Sequence, residues 1–150
     1  MMMSPATSST GTRSGRGAPG GFATYAAIRQ LGRQGVAALI DRCCRHAVAL
    51  VGGIGQLPGA QVLWPAQLNQ GLVRFLDPNP TASDEHHDRF TNAVLQELLA
   101  DGEAFFMGTT WRGCRAMRVS VLNWQTAETD VARAIAAVSR CLVRLQTGRQ

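Results

Sequence analysis

All fifteen basic side chains of this sequence are arginine, and lysine is absent. Covalent catalysis through an amine side chain, in which lysine forms an imine with a carbonyl, therefore has no residue to use here. A guanidinium offers different chemistry. Its planar fork of donors grips a carboxylate bidentately. Arg118 is the arginine best placed for this, because it lies in the middle of a strand pattern. Met117, Val119 and Val121 alternate there with Arg118, Ser120 and Leu122. If the three apolar residues are core, Arg118 points to the opposite side, since successive strand residues take opposite faces. It then either lies on a wet face or lines a cleft where it meets an anion. Arg74, inside the run Leu72–Leu76, is the second candidate, with a structural role as the expectation.

Other chemistry-bearing residues form no constellation. Cys43, Cys44, Cys114 and Cys141 have no CxxC spacing and read as buried thiols, not as ligands or disulfides. His46 is alone, and His86 and His87 open a helix beside acids as solvated residues, so no metal site is expected. The GGIG run ending at Gly55 follows a helix pattern and lacks the GK[ST] of a phosphate loop, so it reads as a helix stop. A net charge of +5 arises from scattered arginines without interleaved aromatics, which argues against a nucleic-acid surface. No apolar run approaches the length of a membrane span, and the start lacks a signal-peptide block. The expectation is a cytoplasmic protein with no membrane and no nucleic-acid partner.

The elements that must position Arg118 follow from periodicity. Residues 1–21, rich in Ser, Thr, Gly, Pro and Arg, read as a disordered leader, and 22–147 as the domain. Phe22, Tyr25, Ile28 and Leu31 mark a first helix that ends near Gly32 and Gly35. This stripe has little to cover it and predicts an exposed apolar patch. Val36, Ile40, Cys43, Ala47 and Leu50 mark a second helix, with Asp41, Arg42, Arg45 and His46 on its polar side. Short strands at Gln61–Trp64 and Gly71–Leu76 are joined by Pro65–Gln70. A helix capped by Ser83 carries Phe90, Val94, Leu95, Leu98 and Leu99 and stops at Gly102. A hairpin follows, Glu103–Thr110 and Arg115–Asn123, around a connection at Trp111–Cys114. The last helix begins after Thr126 with Val131, Ile135, Val138, Leu142 and Leu145 inward and Arg133, Arg140 and Arg144 on a solvated face. Two hairpins interleaved with helices predict an α+β fold, one antiparallel sheet with helices packed on one face.

Taken together, Phe22 to Leu145 resembles the C-terminal small domain of a pyridoxal-phosphate-dependent group II amino-acid decarboxylase. This is the group of aromatic amino-acid and glutamate decarboxylases, within the aspartate-aminotransferase fold. Three blocks carry the resemblance: FATYAAIRQLGRQGVAALIDRCCRHA (Phe22–Ala47), LNQGLVRF (Leu68–Phe75) and FFMGTTWRGCRAMRVSVLNWQTAETDV (Phe105–Val131). The resemblance implies the small domain of a fold-type I pyridoxal-phosphate enzyme. It also implies an Arg on the last strand facing the substrate carboxylate, a position that Arg118 matches. In such enzymes the cofactor aldehyde forms a Schiff base with a lysine of the large domain, which this chain lacks. The implied role is a fragment that is inactive alone, needing the missing large domain or a second subunit and acting on an amino-acid substrate in the complete enzyme. The alternative is a free-standing regulatory or dimerisation module that binds a small ligand or a protein partner.

Overall fold

Alternation and helical periodicity resolve into seven elements in the computed structural model, which describes residues 20–148. They are α1 (Gly20–Gly55), β1 (Ala60–Gln67), β2 (Gln70–Phe75), α2 (Asp84–Asp101), β3 (Met107–Trp111), β4 (Cys114–Ser120) and α3 (Glu128–Thr147). The strands form one antiparallel sheet in the order β1-β2-β4-β3. Of the expected leader, residues 1–19 lie outside the described residues, whereas Gly20 and Gly21 already belong to α1.

The two expected N-terminal helices are the two limbs of α1. They meet at Gly32, whose backbone (φ 63°, ψ −179°) is one that glycine adopts without a Cβ clash. The first limb is exposed along its length, Phe22 at 73 % and Tyr25 at 61 %, so the apolar stripe has no cover among the described residues. Ile40, expected in the core, is also exposed, whereas its neighbour Leu39 packs against the core. Below that point Ala47, Leu50, Val51 and Ile54 pack against Val73 and Phe75 of β2, Met117 and Val119 of β4, and the buried stripes of α2 and α3. Leu99 of α2 lies outside this core.

One local expectation holds with an added role, and two need correction. The GGIG run does close α1, which ends at Gly55 as expected. Its glycines also permit close packing: a Cβ on Gly53 would lie 2.4 Å from Ile135 Cδ1 of α3, and one on Gly55 would lie 2.5 Å from Val62 Cγ2 of β1. His46 is not on the polar side. It is 4 % exposed, with Nε2 at 3.5 Å from Glu128 Oε1 at the start of α3 and neither ring nitrogen in a hydrogen bond. Pro65 lies inside β1, not in a loop, and the turn is only Leu68–Asn69. An edge strand tolerates a residue without an N–H, and the pairing is irregular between Trp64 and Gln67.

The second hairpin is shorter than its sequence pattern. Glu103–Phe106 precedes β3 without joining it, and the strands meet through Arg112 (φ 49°) and Gly113 (φ 84°). Two positive φ values in a two-residue loop match the right-handed twist of the flanking strands. Ser83 precedes α2 as expected, with its N–H and hydroxyl both at His86 Nδ1, and Gly102 ends the helix in the left-handed conformation (φ 74°). The arginines of α3 are not simply solvated. Arg133 pairs with Glu103, Arg140 with Asp101, and Arg144 with Asp101 and Glu97, so they bolt α3 to α2 and to the chain beyond it. Cys43 and Cys141 are buried, Cys44 and Cys114 only partly so, and all four are free thiols.

Candidate functional site

Arg118 is where alternation along β4 puts it. Met117 and Val119 are fully buried on the helix side, and Arg118 stands on the other face, partly exposed. Register gives its neighbours. Trp64 pairs with Leu72, Leu72 with Arg118, and Arg118 with Met107, so one row of four side chains crosses all four strands on the open face. Thr109 and Trp111 lie two and four residues beyond Met107 on the same side of β3.

Three of this row, Trp64, Leu72 and Arg118, line a groove of about 560 Å³ together with Thr109, Trp111 and the β1–β2 turn. Asn69 anchors that turn: its Nδ2 donates to the Val121 carbonyl at 2.9 Å, and its own carbonyl accepts from Val121 N–H at 3.0 Å. Trp64 and Trp111 form the opposite wall, their ring centroids 5.3 Å apart in an edge-to-face contact.

Arg118 is the only charged residue that lines the groove, and it makes no ion pair among the described residues. Its one hydrogen bond among the described residues runs from Nη2 to the Met107 sulfur at 3.5 Å. A thioether is a weak acceptor, so most of the guanidinium's five donors remain available to a ligand.

Arg74, the second candidate, does the opposite. It is 5 % exposed, and its fork is committed: Nη1 donates to Asp84 Oδ1 at 2.9 Å, while Nη2 donates to the Asp84 carbonyl and to Asp88 Oδ1. Burial alone would lower its pKa, but the hydrogen bonds to Asp84 and Asp88 outweigh this and raise it. Asp88 also accepts the Arg115 N–H, so Arg74 and Asp88 fix the start of α2 to two strands. Its role is structural.

Sequence reasoning missed Trp64, Thr109, Trp111 and Asn69. A signal existed for two of them, since Met107, Thr109 and Trp111 alternate as Arg118 and its neighbours do. Reading Trp111 as part of the connection hid it. Among the described residues no group of three or more His, Cys, Asp or Glu could hold a metal ion, and no helix is long and apolar enough to cross a membrane.

No family model matches the sequence, and a search of curated proteins finds no match. Solved structures do share the fold. TDC from Oryza sativa with PLP and tryptamine superposes with a TM-score of 0.74 at 16 % identity, over 81 % of this chain and 26 % of that one. Tryptophan decarboxylase from Catharanthus roseus in complex with L-tryptophan gives 0.71 at 17 %, over 81 % and 25 %. The glutamate decarboxylase domain of the diaminobutyrate-pyruvate transaminase and L-2,4-diaminobutyrate decarboxylase from Vibrio parahaemolyticus gives 0.65 at 18 %, over 81 % and 25 %. At such identities the likeness defines the fold: a four-stranded antiparallel sheet with three helices, as in the small domain of a fold-type I pyridoxal-phosphate enzyme. The chain spans about a quarter of the length of the decarboxylase structures it matches.

The residues present do not fit a covalent site for that cofactor. The chain has no lysine, and the groove brings together one guanidinium and no carboxylate.

Proposed function

We propose that this chain is the C-terminal small domain of a group II amino-acid decarboxylase, a carboxy-lyase unit of the cytoplasm that does not catalyse the reaction alone. On this reading the cofactor is held by a large domain or a second subunit, and this chain supplies one wall of the substrate cleft. The observation that carries the proposal is the contrast between its two strand arginines. Arg74 is spent on Asp84 and Asp88, whereas Arg118 faces an open groove with most of its donors unclaimed. A guanidinium fixed on a strand and free of counter-ions suits an α-carboxylate, because both oxygens can be met by parallel N–H donors. Holding the carboxylate also orients the bond that breaks when carbon dioxide leaves.

The test is a chimera in which this chain replaces the matching quarter of the Oryza sativa enzyme, assayed for carbon dioxide release. Turnover is expected in the parent chimera, with loss of roughly 30-fold or more in Arg118→Ala and partial retention in Arg118→Lys. Such a loss corresponds to removal of a charge-assisted contact of about 2 kcal/mol or more. Unchanged turnover in both variants would reject the carboxylate role. A folded chimera that binds cofactor but never turns over would reject the small-domain assignment.

A further inference from the structure

We propose that the open-face groove is a binding site for a small aromatic carboxylate without an ammonium group, and that this chain binds it unaided. The binding uses only residues of this chain and does not depend on the decarboxylase reading.

Three observations fix the ligand class. First, the cationic end: Arg118 is partly buried, and among the described residues it lacks a carboxylate partner and has its one hydrogen bond to a thioether. An anion is the group that satisfies its donors. Second, the apolar end: Leu72 floors the groove, and the Trp64–Trp111 pair walls it. Trp64 and Arg118 belong to one cross-strand row with Leu72 between them. Two strand spacings put their Cα atoms about 10 Å apart, the scale of one ring with a short acid arm. Tryptophan walls favour a ring in edge or offset contact over an aliphatic chain. Third, the absent charge: no Asp or Glu lines the groove. An ammonium group held there would lose water without gaining an anion, and would lie near a guanidinium of like charge. The groove therefore selects a simple acid over a zwitterionic amino acid with the same ring. Its volume of about 560 Å³ is within the range of small-molecule sites.

Two of the three tryptophans line the groove, whereas Trp124 lies outside it and is exposed. The indole N–H signals therefore report occupancy directly. The full chain is titrated by two-dimensional NMR with 3-phenylpropanoate, and in parallel with 3-phenylpropylamine, phenylalanine and propanoate. The acid is expected to shift Trp64 and Trp111 and leave Trp124 in place. Phenylalanine, the amine and propanoate are each expected to bind at least about fivefold more weakly. Arg118→Ala is expected to weaken the acid by roughly tenfold or more, the loss typical of a hydrogen bond to a charged group, and Arg118→Lys by less. A wild-type thermal midpoint in Arg118→Ala shows that the loss is not unfolding; if that variant is unstable, the acid-to-amine ratio in the parent chain decides alone. Equal binding of acid and amine, undiminished binding in a folded Arg118→Ala, or shifts confined to Trp124 would each overturn the proposal. Because no turnover is read, failure here leaves the decarboxylase assignment standing, and failure of the chimera leaves this site standing.

Discussion

Trp64 and Trp111 stand on opposite edge strands of the sheet, yet their rings meet, with centroids 5.3 Å apart and planes at 68°. Strands β2 and β4 lie between them, so the two indoles must lean inward over the open face to touch. The same face carries a second feature. Leu72 and Ala116 point to the side without helices but are buried. Arg112 lies 5.7 Å from the Trp111 ring centroid and braces it from the turn.

If the indoles cover that face, removing either one uncovers apolar sheet. Trp111→Ala and Trp64→Ala are each expected to lower stability by about 1–3 kcal/mol, and the double variant by less than the sum. The coupling should be about 0.5–1.5 kcal/mol, the size of an aromatic pair beyond its area. Urea denaturation of the four proteins measures it. Strict additivity would mean that the rings do not touch in solution.

Acid should loosen the α2–α3 junction. Arg144, then Arg140, hold the Asp101 carboxyl below its ordinary value of 3.8. A carboxylate with a lowered folded-state pKa stabilises the fold above its unfolded pKa, and that stability is lost as pH falls through the folded value. The urea midpoint of the parent chain is therefore expected to fall from about pH 5 to pH 3 more steeply than that of Asp101→Asn. Parallel curves for the two proteins would show that the pair contributes nothing in solution.

Gly53 is expected to resist enlargement. Although alanine is the better helix former, any side chain there meets Ile135, whose Cδ1 would lie 2.4 Å from the new Cβ. Gly53→Leu should cost about 1–3 kcal/mol, as overpacking does. Adding Ile135→Ala to Gly53→Leu should recover part of that loss, because the second change vacates the space the first one fills. A neutral Gly53→Leu would place α1 and α3 further apart than described.

Pyridoxal phosphate should not attach to an internal side chain. With no lysine present, borohydride treatment of the chain mixed with the cofactor should label at most the N-terminal amine, read by peptide mass spectrometry. A stoichiometric label on an internal peptide would contradict this.

How much of this was written in the sequence depends on the range of the interaction. Local signals were decisive. Alternation placed Met117 and Val119 inside and Arg118 outside, because a strand offers only two faces. Ser83 and Gly102 bounded α2, because a helix end must satisfy its own backbone groups. The absence of lysine ruled out one covalent chemistry by composition alone. The tertiary structure decided what depends on register and packing between distant segments. The GGIG run read as a helix stop and does close α1, but only the fold showed that Gly53 must stay small, because α3 brings Ile135 against it. His46 looked polar-facing until α3 covered it. Arg74 and Arg118 sit on strands of similar pattern, and only the fold supplied Asp84 and Asp88 to one and an empty groove to the other. The meeting of Trp64 with Trp111 joins residues from opposite edges of the sheet. No periodicity reports such a contact, because it depends on the strand order, which is settled by the packing of the whole core.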